Sequence, residues 1–177
     1  YGGTFGPQPL REAIAERSSR IEGIPVGIDQ VIVTSGSAHA IGVVCETLID
    51  PGDTVLVESP NFPGSMRTFR TFGAEQVAIP MDDNGLRVDL VSEALDRLQN
   101  EGKRAKFLYC IPTHQNPAGC TLAVGRREQL VEFAFAQREE RRRRLILEPE
   151  FAVRVVFKEQ QPVLAREFDE LFAAANR

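Results

Sequence analysis

Short apolar runs alternate along the chain with longer stretches of helical periodicity. Runs rich in β-branched or large apolar residues predict five strands, at residues 31–33, 54–57, 76–79, 107–109 and 145–147. Between them apolar side chains recur on one helical face, most clearly over residues 89–98 and 130–136. This alternation predicts an α/β fold with a mostly parallel sheet flanked by helices.

Length and composition restrict the class of protein. A chain of 177 residues with 42% hydrophobic content holds material for one sizeable core. Its formal net charge of -4 offers no general attraction to nucleic acid or to an anionic membrane surface. The sequence has three cysteines without a CxxC pair, and it has no leader or long apolar run. These features predict a cytoplasmic protein that binds neither nucleic acid nor a membrane.

The first stretch with chemical potential covers residues 31–40, where a predicted strand passes through small residues into a helix. The free N–H groups and the dipole at such a helix start can hold a phosphate. Gly36 would permit close approach of the backbone, and Ser37 would add a hydroxyl. The same residues also suit a purely structural helix cap, so the pattern leaves both interpretations open.

Two further stretches follow the carboxyl ends of predicted strands, where open α/β sheets bind their ligands. Phe62, in residues 58–64, is suited either to stacking on a flat aromatic ligand or to packing beneath its loop. Asn116, in residues 109–119, places a carboxamide where the chain must turn. Such an amide can donate a hydrogen bond to a phenolate oxygen.

These three stretches, in this order and at these separations, resemble the class I/II aminotransferases, which are pyridoxal-phosphate enzymes of fold type I. The resemblance covers residues 1–148 and implies most of a large, cofactor-binding domain. It further implies pyridoxal 5'-phosphate as cofactor, a homodimer, and transfer of an amino group between an amino acid and a 2-oxo acid. Residues 149–177 are an unmatched tail, which we predict to form a strand and a helix.

The resemblance assigns the cofactor phosphate to Gly36, Ser37 and the backbone of Ala38, which replaces a commonly polar residue. Tyr1 matches a tyrosine that reaches the phosphate held by the neighbouring subunit. Phe62 takes the position of an aromatic that stacks on the pyridine ring, where the family usually has tyrosine. Asn116 takes the position that contacts the phenolic oxygen.

The family pattern breaks after residue 147. An acidic side chain should pair there with the pyridinium nitrogen, followed three residues later by a tyrosine. In one alignment Pro149 occupies the acidic position and supplies no acceptor. In the alignment shifted by one residue, Glu148 pairs with the nitrogen and Phe151 replaces the tyrosine.

No catalytic residue can be identified, because the Schiff-base lysine has no match. Lys103 and Lys106 flank the start of a predicted strand, at the end opposite the expected site, and Lys158 lies in the unmatched tail. The arginine that would clamp a substrate carboxylate has no match either. The alternatives to an enzyme portion are therefore an inactive degenerate scaffold and a truncated relic.

The remaining polar residues predict no further site. His39 and His114 are interpreted as a polar helix residue and a polar loop residue. Cys110, His114 and Cys120 lack the paired spacing of a metal site, so no metal is predicted. The arginine run at 141–144 is balanced by acidic neighbours and is interpreted as a solvated helix end.

Overall fold

The computed structural model describes residues 3–22 and 25–144; for residue 22 and residues 135–144 it describes the backbone only. The chain divides into two compact units. One contains the described residues up to Ala40, and the other contains residues 41–144. No helix within the described residues combines the length and apolar character of a membrane span.

The first unit begins with helix α1 (Gln8–Glu22), followed by a short 3-10 helix (Ile28–Gln30). The Arg11 guanidinium holds these parts together, because its Nε donates to the Val31 carbonyl at 2.8 Å and its Nη2 to the Ile28 carbonyl at 2.5 Å. The same guanidinium lies 5.2 Å from the centroid of the Phe5 ring. Helix α2 (Ser37–Leu48) starts in this unit.

The strand predicted at residues 31–33 is wrong: this segment is extended but belongs to no strand. Its backbone groups bind other partners, because the Val33 N–H donates to the Phe5 carbonyl at 3.0 Å and the Val31 carbonyl accepts from Arg11. A run of β-branched residues favours extended backbone but does not supply a neighbouring strand.

The second unit contains a four-stranded sheet in the order β3-β2-β1-β4. The strands are β1 (Thr54–Ser59), β2 (Glu75–Asp82), β3 (Gly85–Leu86) and β4 (Ala105–Tyr109). Strand β1 is parallel to both β2 and β4, and only β3 runs antiparallel to its neighbour. The prediction of a mostly parallel sheet is confirmed, as are three of the predicted strands.

Helices α3 (Pro63–Thr71), α4 (Asp89–Asn100) and α5 (Val124–Arg144) complete this unit. The alternation of side chains along β1 divides its core into two clusters. Val55 and Val57 pack with the α2 and α3 side chains, including Phe69, whose burial contributes about 2 to 3 kcal/mol. Leu56 packs on the other side, with buried residues of α4 and α5.

The parallel arrangement determines where the connecting loops lie. Thr54 is paired with both Glu75 and Ala105, so the amino-terminal ends of β1, β2 and β4 share one edge of the sheet. The loops that follow Ser59 and Tyr109 therefore leave from the opposite, carboxyl-terminal edge. These two loops carry Phe62, predicted to stack on the pyridine ring of a cofactor, and Asn116, predicted to contact its phenolic oxygen.

Candidate functional site

The first candidate residues form the turn that precedes α2. Gly36 has a φ of +89°, and a Cβ at this position would meet nothing within 4 Å, so the space beside the turn is open. Helix α2 begins at Ser37, and its first turn contains no acidic residue. Gly36, Ser37 and Ala38 are exposed. Among the described residues no acceptor binds their N–H groups, which leaves donors for an anion.

His39 has a structural contact that the sequence did not reveal. Its Nδ1 accepts a hydrogen bond from the Ser35 N–H at 3.0 Å. The acceptor nitrogen must be unprotonated, so the proton of the neutral ring lies on Nε2. This bond ties the helix to the residue before Gly36 and thereby holds the turn. Thr34 supports the same turn, donating from Oγ1 to the Gly36 carbonyl at 3.3 Å.

The loop after β1 presents Phe62, whose side chain is 44% exposed. The Phe62 N–H donates to Oδ1 of Asn61 at 2.6 Å, and the Phe62 carbonyl accepts from the Met66 N–H at 3.3 Å. A Cβ at Gly64 would lie 2.4 Å from Cε1 of Phe62, so the ring rests close against this glycine. The ring is thus supported on one side while much of its surface stays accessible.

The loop after β4 contains two neighbouring amides with opposite environments. Gln115 is 2% exposed, and its Nε2 donates to Oε1 of Glu58 at 3.0 Å and to the Pro60 carbonyl at 2.8 Å. Its Oε1 accepts from the Ala118 N–H at 2.7 Å. Asn116 is exposed, and within the described residues its side chain has no hydrogen-bond partner.

Glu58 ends the buried part of β1 and connects the two loops. Its Oε1 accepts from Nε2 of Gln115 and from the Ile111 N–H at 2.8 Å. Within the described part of the chain no cationic side chain pairs with it. Burial therefore raises the pKa of the Glu58 carboxyl above its ordinary value, although these two hydrogen bonds oppose the shift.

Arg127, at the start of α5, supports the second loop from behind. It is 5% exposed, and its guanidinium donates to the Leu122 carbonyl at 2.8 Å, the Pro112 carbonyl at 2.7 Å and Oγ1 of Thr113 at 3.0 Å. Burial lowers its pKa. The neighbouring Arg126 instead forms two 2.6 Å hydrogen bonds to the carboxylate of Asp82.

The lysines within the described residues lie at the amino-terminal edge of the sheet. Lys103 donates to Oε2 of Glu75 at 2.6 Å, and Nζ of Lys106 lies 2.9 Å from Oδ2 of Asp53. Both acidic partners stand at or next to the first residue of a strand. These amines are therefore at the opposite edge from the Phe62 and Asn116 loops. Lys158 lies outside the described residues.

The predicted site residues thus fall into three groups. The turn at residues 36–38 belongs to the first unit. Phe62 and Asn116 belong to the second, on two loops that Gln115 joins by direct hydrogen bonds. Tyr1 and Glu148 lie outside the described residues, as do Pro149, Phe151 and the rest of the predicted tail. The described residues contain no group of three or more potential metal ligands.

The mostly parallel sheet flanked by helices is the fold of fold type I aminotransferases, and solved structures of such enzymes are similar to it. The family model for aminotransferase class I and II matches residues 1–141. The chain belongs to this family. It is 42% identical over 134 residues to "Aromatic-amino-acid aminotransferase 1" of Thermococcus litoralis, which covers 76% of this chain and 32% of that relative.

Solved structures agree with this assignment. An archaeal alanine:glyoxylate aminotransferase matches with a TM-score of 0.74 and 34% identity, over 78% of this chain and 34% of that one. A Pyrococcus horikoshii kynurenine aminotransferase, in complex with PMP, KYN as substrates and KYA as products, matches with a TM-score of 0.72 and 36% identity. That match covers 77% of this chain and 33% of the other. The chain spans about a third of the length of the relatives it matches.

Proposed function

We propose that this chain is the pyridoxal 5'-phosphate-binding portion of an aminotransferase that moves an amino group between an amino acid and a 2-oxo acid. Pyridoxal 5'-phosphate is the cofactor of the family to which the chain belongs. The observation that carries the proposal is the pair of loops at the carboxyl edge of the sheet. They present an exposed ring, Phe62, and an exposed amide, Asn116, that has no partner in the described part of the chain, on a buried hydrogen-bonded support.

The residues present fit this cofactor by their chemistry. The turn at residues 36–38 offers backbone N–H donors and the Ser37 hydroxyl for a phosphate. Phe62 offers a ring face for stacking on a pyridine, although it lacks the hydroxyl of the usual tyrosine. Asn116 offers an N–H donor to a phenolic oxygen. Nδ2 of Asn61, beside Phe62, is a buried donor with no partner among the described residues.

When bound, pyridoxal 5'-phosphate supplies an electron sink that stabilises negative charge at the substrate α-carbon. In our proposal the residues of this chain bind and orient the group. The turn holds its phosphate, Phe62 fixes the plane of its ring and Asn116 fixes its rotation within that plane. We further propose Glu148 as the acid beside the ring nitrogen and Tyr1 as a contact to the phosphate of a second subunit, which implies a homodimer.

The substrate class is also a proposal. The name of the 42% identical Thermococcus litoralis relative favours an aromatic amino acid as donor. A second relative, the "2-aminoadipate transaminase" of Thermus thermophilus, is 33% identical over 132 residues and favours a 2-amino dicarboxylic acid. Either amino acid would donate its amino group to a 2-oxo acid. The three cysteines form no disulfide, which supports our proposal of a cytoplasmic setting.

A binding scaffold without turnover is the second candidate. It is favoured by the lysines: the two within the described residues are paired with carboxylates at the far edge of the sheet, and none of the three matches the family's Schiff-base position. Such a scaffold would still bind the cofactor, because the turn and the two loops do not depend on a lysine.

Titration of the purified chain with pyridoxal 5'-phosphate, followed by calorimetry and by absorbance before and after borohydride reduction, tests the proposal. We expect saturable binding that Phe62→Ala and Asn116→Ala each weaken roughly tenfold, the effect of one lost stacking or charge-assisted contact. Lys103→Met is the matched control and should bind like the wild type. Absence of heat, or equal affinity for pyridoxal without phosphate, would refute the proposed cofactor site.

The reduction step separates the two candidate functions. Saturable binding without a reducible adduct supports a cofactor cradle in this chain that has no lysine of its own. A reducible adduct that maps to a single lysine would support an amine able to react with the cofactor aldehyde. An adduct spread over all three lysines would indicate surface reaction alone.

A further inference from the structure

We propose that Gln115 is a positioning residue, which holds Asn116 against the ring oxygen of the cofactor by tying the Asn116 loop to the Phe62 loop. The inference rests on the proposed cofactor site and concerns a residue that touches no ligand itself. Its basis is the contrast between two adjacent carboxamides: Gln115 is buried and hydrogen-bonded at both its nitrogen and its oxygen, whereas Asn116 is exposed and its side chain has no hydrogen-bond partner among the described residues.

The Gln115 side chain uses all of its main hydrogen-bonding capacity to connect separate parts of the chain. Its Nε2 reaches the end of β1 through Glu58 and the following loop through the carbonyl of Pro60. Its Oε1 closes its own loop by accepting from the Ala118 N–H. One planar amide therefore fixes the distance between the two loops and the course of the chain on both sides of Asn116.

The backbone around Gln115 is equally constrained. The Gln115 N–H donates to the Cys120 carbonyl at 2.8 Å, and the Gln115 carbonyl accepts from the Gly119 N–H at 2.5 Å. These bonds close residues 115–120 into a compact turn. Asn116 is the second residue of that turn, so rotation of its side chain is the main freedom left to it. A binding group held in this way needs little ordering when its ligand arrives.

Glu58 is the anchor that Gln115 requires. A carboxylate at this place accepts from both the Ile111 N–H and the Gln115 amide, and it is 2% exposed. Breaking the contact would leave one buried N–H of the Gln115 amide without an acceptor, while the Ile111 N–H and the Pro60 carbonyl keep the other bonds, and this cost disfavours loop movement. Glu58 and Gln115 thus connect the loops that follow the neighbouring strands β1 and β4. In our proposal both loops contact the same ligand.

The preference of the chain for a ligand that carries the ring hydroxyl distinguishes a positioning role of Gln115 from a purely structural role. Pyridoxamine 5'-phosphate and its 3-deoxy analogue differ only in the oxygen that Asn116 contacts, and neither carries an aldehyde that reacts with surface lysines. We expect the wild-type chain to prefer the hydroxyl-bearing ligand by roughly tenfold, as for one hydrogen bond to a charged oxygen. Asn116→Ala should abolish this preference.

The informative variant is Gln115→Met, which keeps the length of the side chain and removes its hydrogen bonds. We expect the preference to fall to about twofold or less, with little change in affinity for the 3-deoxy ligand. In the Asn116→Ala background the same change should have no further effect on the preference. Lys103→Met, at the opposite edge of the sheet, should retain the wild-type ratio.

The reciprocal exchange Glu58→Gln with Gln115→Glu covers the case in which Gln115→Met does not fold. In the double variant the new amide at 58 can donate to the new carboxylate at 115, while its oxygen still accepts from the Ile111 N–H. The carboxylate at 115 can still accept from the Ala118 N–H, but it cannot donate to the Pro60 carbonyl as Gln115 does. We expect each single change to lower the preference and the pair to restore part of it.

The outcomes distinguish this inference from the proposed function. If Gln115→Met weakens both ligands equally, Gln115 is structural only and the inference is overturned. An unchanged preference in this variant also overturns it, while the cofactor site stands. A wild-type chain that binds both ligands equally removes the role of Asn116 and the inference with it, but retains the phosphate turn. Failure of the wild-type chain to bind either ligand overturns the proposed function as well.

Discussion

Polar side chains at the two edges of the sheet are stabilised in different ways. At the amino-terminal edge, charges pair with charges near solvent, as in Lys103 with Glu75 and Lys106 with Asp53. At the carboxyl-terminal edge, the Glu58 carboxylate is buried and receives hydrogen bonds from neutral donors. The first arrangement keeps the chain well solvated, whereas the second fixes loops in relation to one another.

This difference supports our proposal that the carboxyl-terminal edge holds a ligand. An exposed ion pair between long side chains adds little stability and permits movement. A buried network of amide and carboxylate groups is costly to rearrange, because any loosened member loses its partner away from water. The rigid edge is the one that carries Phe62 and Asn116. If the two edges differ as much as their contacts indicate, substitutions at the carboxyl-terminal edge should cost more stability than substitutions at the amino-terminal edge.

The largest effect is expected for Glu58→Ala, which leaves the Ile111 N–H and the Gln115 amide without their acceptor. The free energy of unfolding should fall by about 2 to 3 kcal/mol, the cost of two buried unsatisfied donors less the gain from removing a buried charge. Urea unfolding followed by circular dichroism measures it. Glu58→Gln keeps an acceptor for the Ile111 N–H and should lose less. Equal losses in the two variants would show that the acceptor retained for the Ile111 N–H contributes nothing to stability.

Arg127→Met should have the next largest effect, because it removes three hydrogen bonds from the second loop. The Pro112 carbonyl keeps a bond from the Leu122 N–H, whereas the Leu122 carbonyl loses its donor. We expect a loss of about 1 to 2 kcal/mol in the free energy of unfolding. Arg126→Met is the matched control one residue away, since it removes a less buried guanidinium that pairs with Asp82 and donates to the Gly85 and Leu86 carbonyls. A larger loss in the control would contradict the view that burial decides the contribution.

The pH dependence of stability should differ in sign between two carboxyl groups. Burial raises the pKa of Glu58 above its ordinary 4.5, so its stabilising contribution is present below that value and is lost as pH rises through the folded pKa. Arg126 lowers the pKa of Asp82 from 3.8 to about 2, so its contribution is present above 3.8 and is lost as pH falls towards 2. The pH dependence due to Glu58 should disappear when Glu58 is replaced, and the pH dependence due to Asp82 should disappear when Asp82 is replaced.

Unfolding midpoints in urea between pH 2 and pH 7 check both signs. Relative to Glu58→Gln, the wild type should lose stability as pH rises from about 4.5. Relative to Asp82→Asn, it should lose stability as pH falls below about 4. If both differences had the same slope, the contrast between a buried and an exposed carboxylate would fail.

The sequence predicted most of the second unit because its signals are local. An apolar pattern of its own marks each of three strands, at 54–57, 76–79 and 107–109, and the helix at 89–98. The structure confirms all four elements. Strand β3 has only two residues and leaves no pattern to read. The extended run at 31–33 has the composition of a strand, but a strand also needs a neighbour, which composition does not report.

The proposed site could be read from the sequence less completely, for a related reason. Phe62 and Asn116 stand out because a ring and an amide interrupt loops after predicted strands. Gln115 and Glu58 carry no such signal, since a polar side chain is usually exposed and these two meet across 57 positions of the chain. The available signal was the position of Glu58, an acid that directly follows four buried strand residues.

The smallest effect is expected for Lys103→Met, which removes the exposed ion pair with Glu75. The hydrogen bond that Lys103 donates to Glu75 raises the pKa of the Lys103 amine, but the pair is exposed to water, where salt and solvent weaken it. We expect the urea midpoint of this variant to match the wild type within error at 0.5 M salt. Binding of pyridoxamine 5'-phosphate should also be unchanged. A weakening of ligand binding comparable to that of Gln115→Met would mean that the two edges are coupled through the sheet, and that rigidity at the carboxyl edge depends on charge pairing at the other.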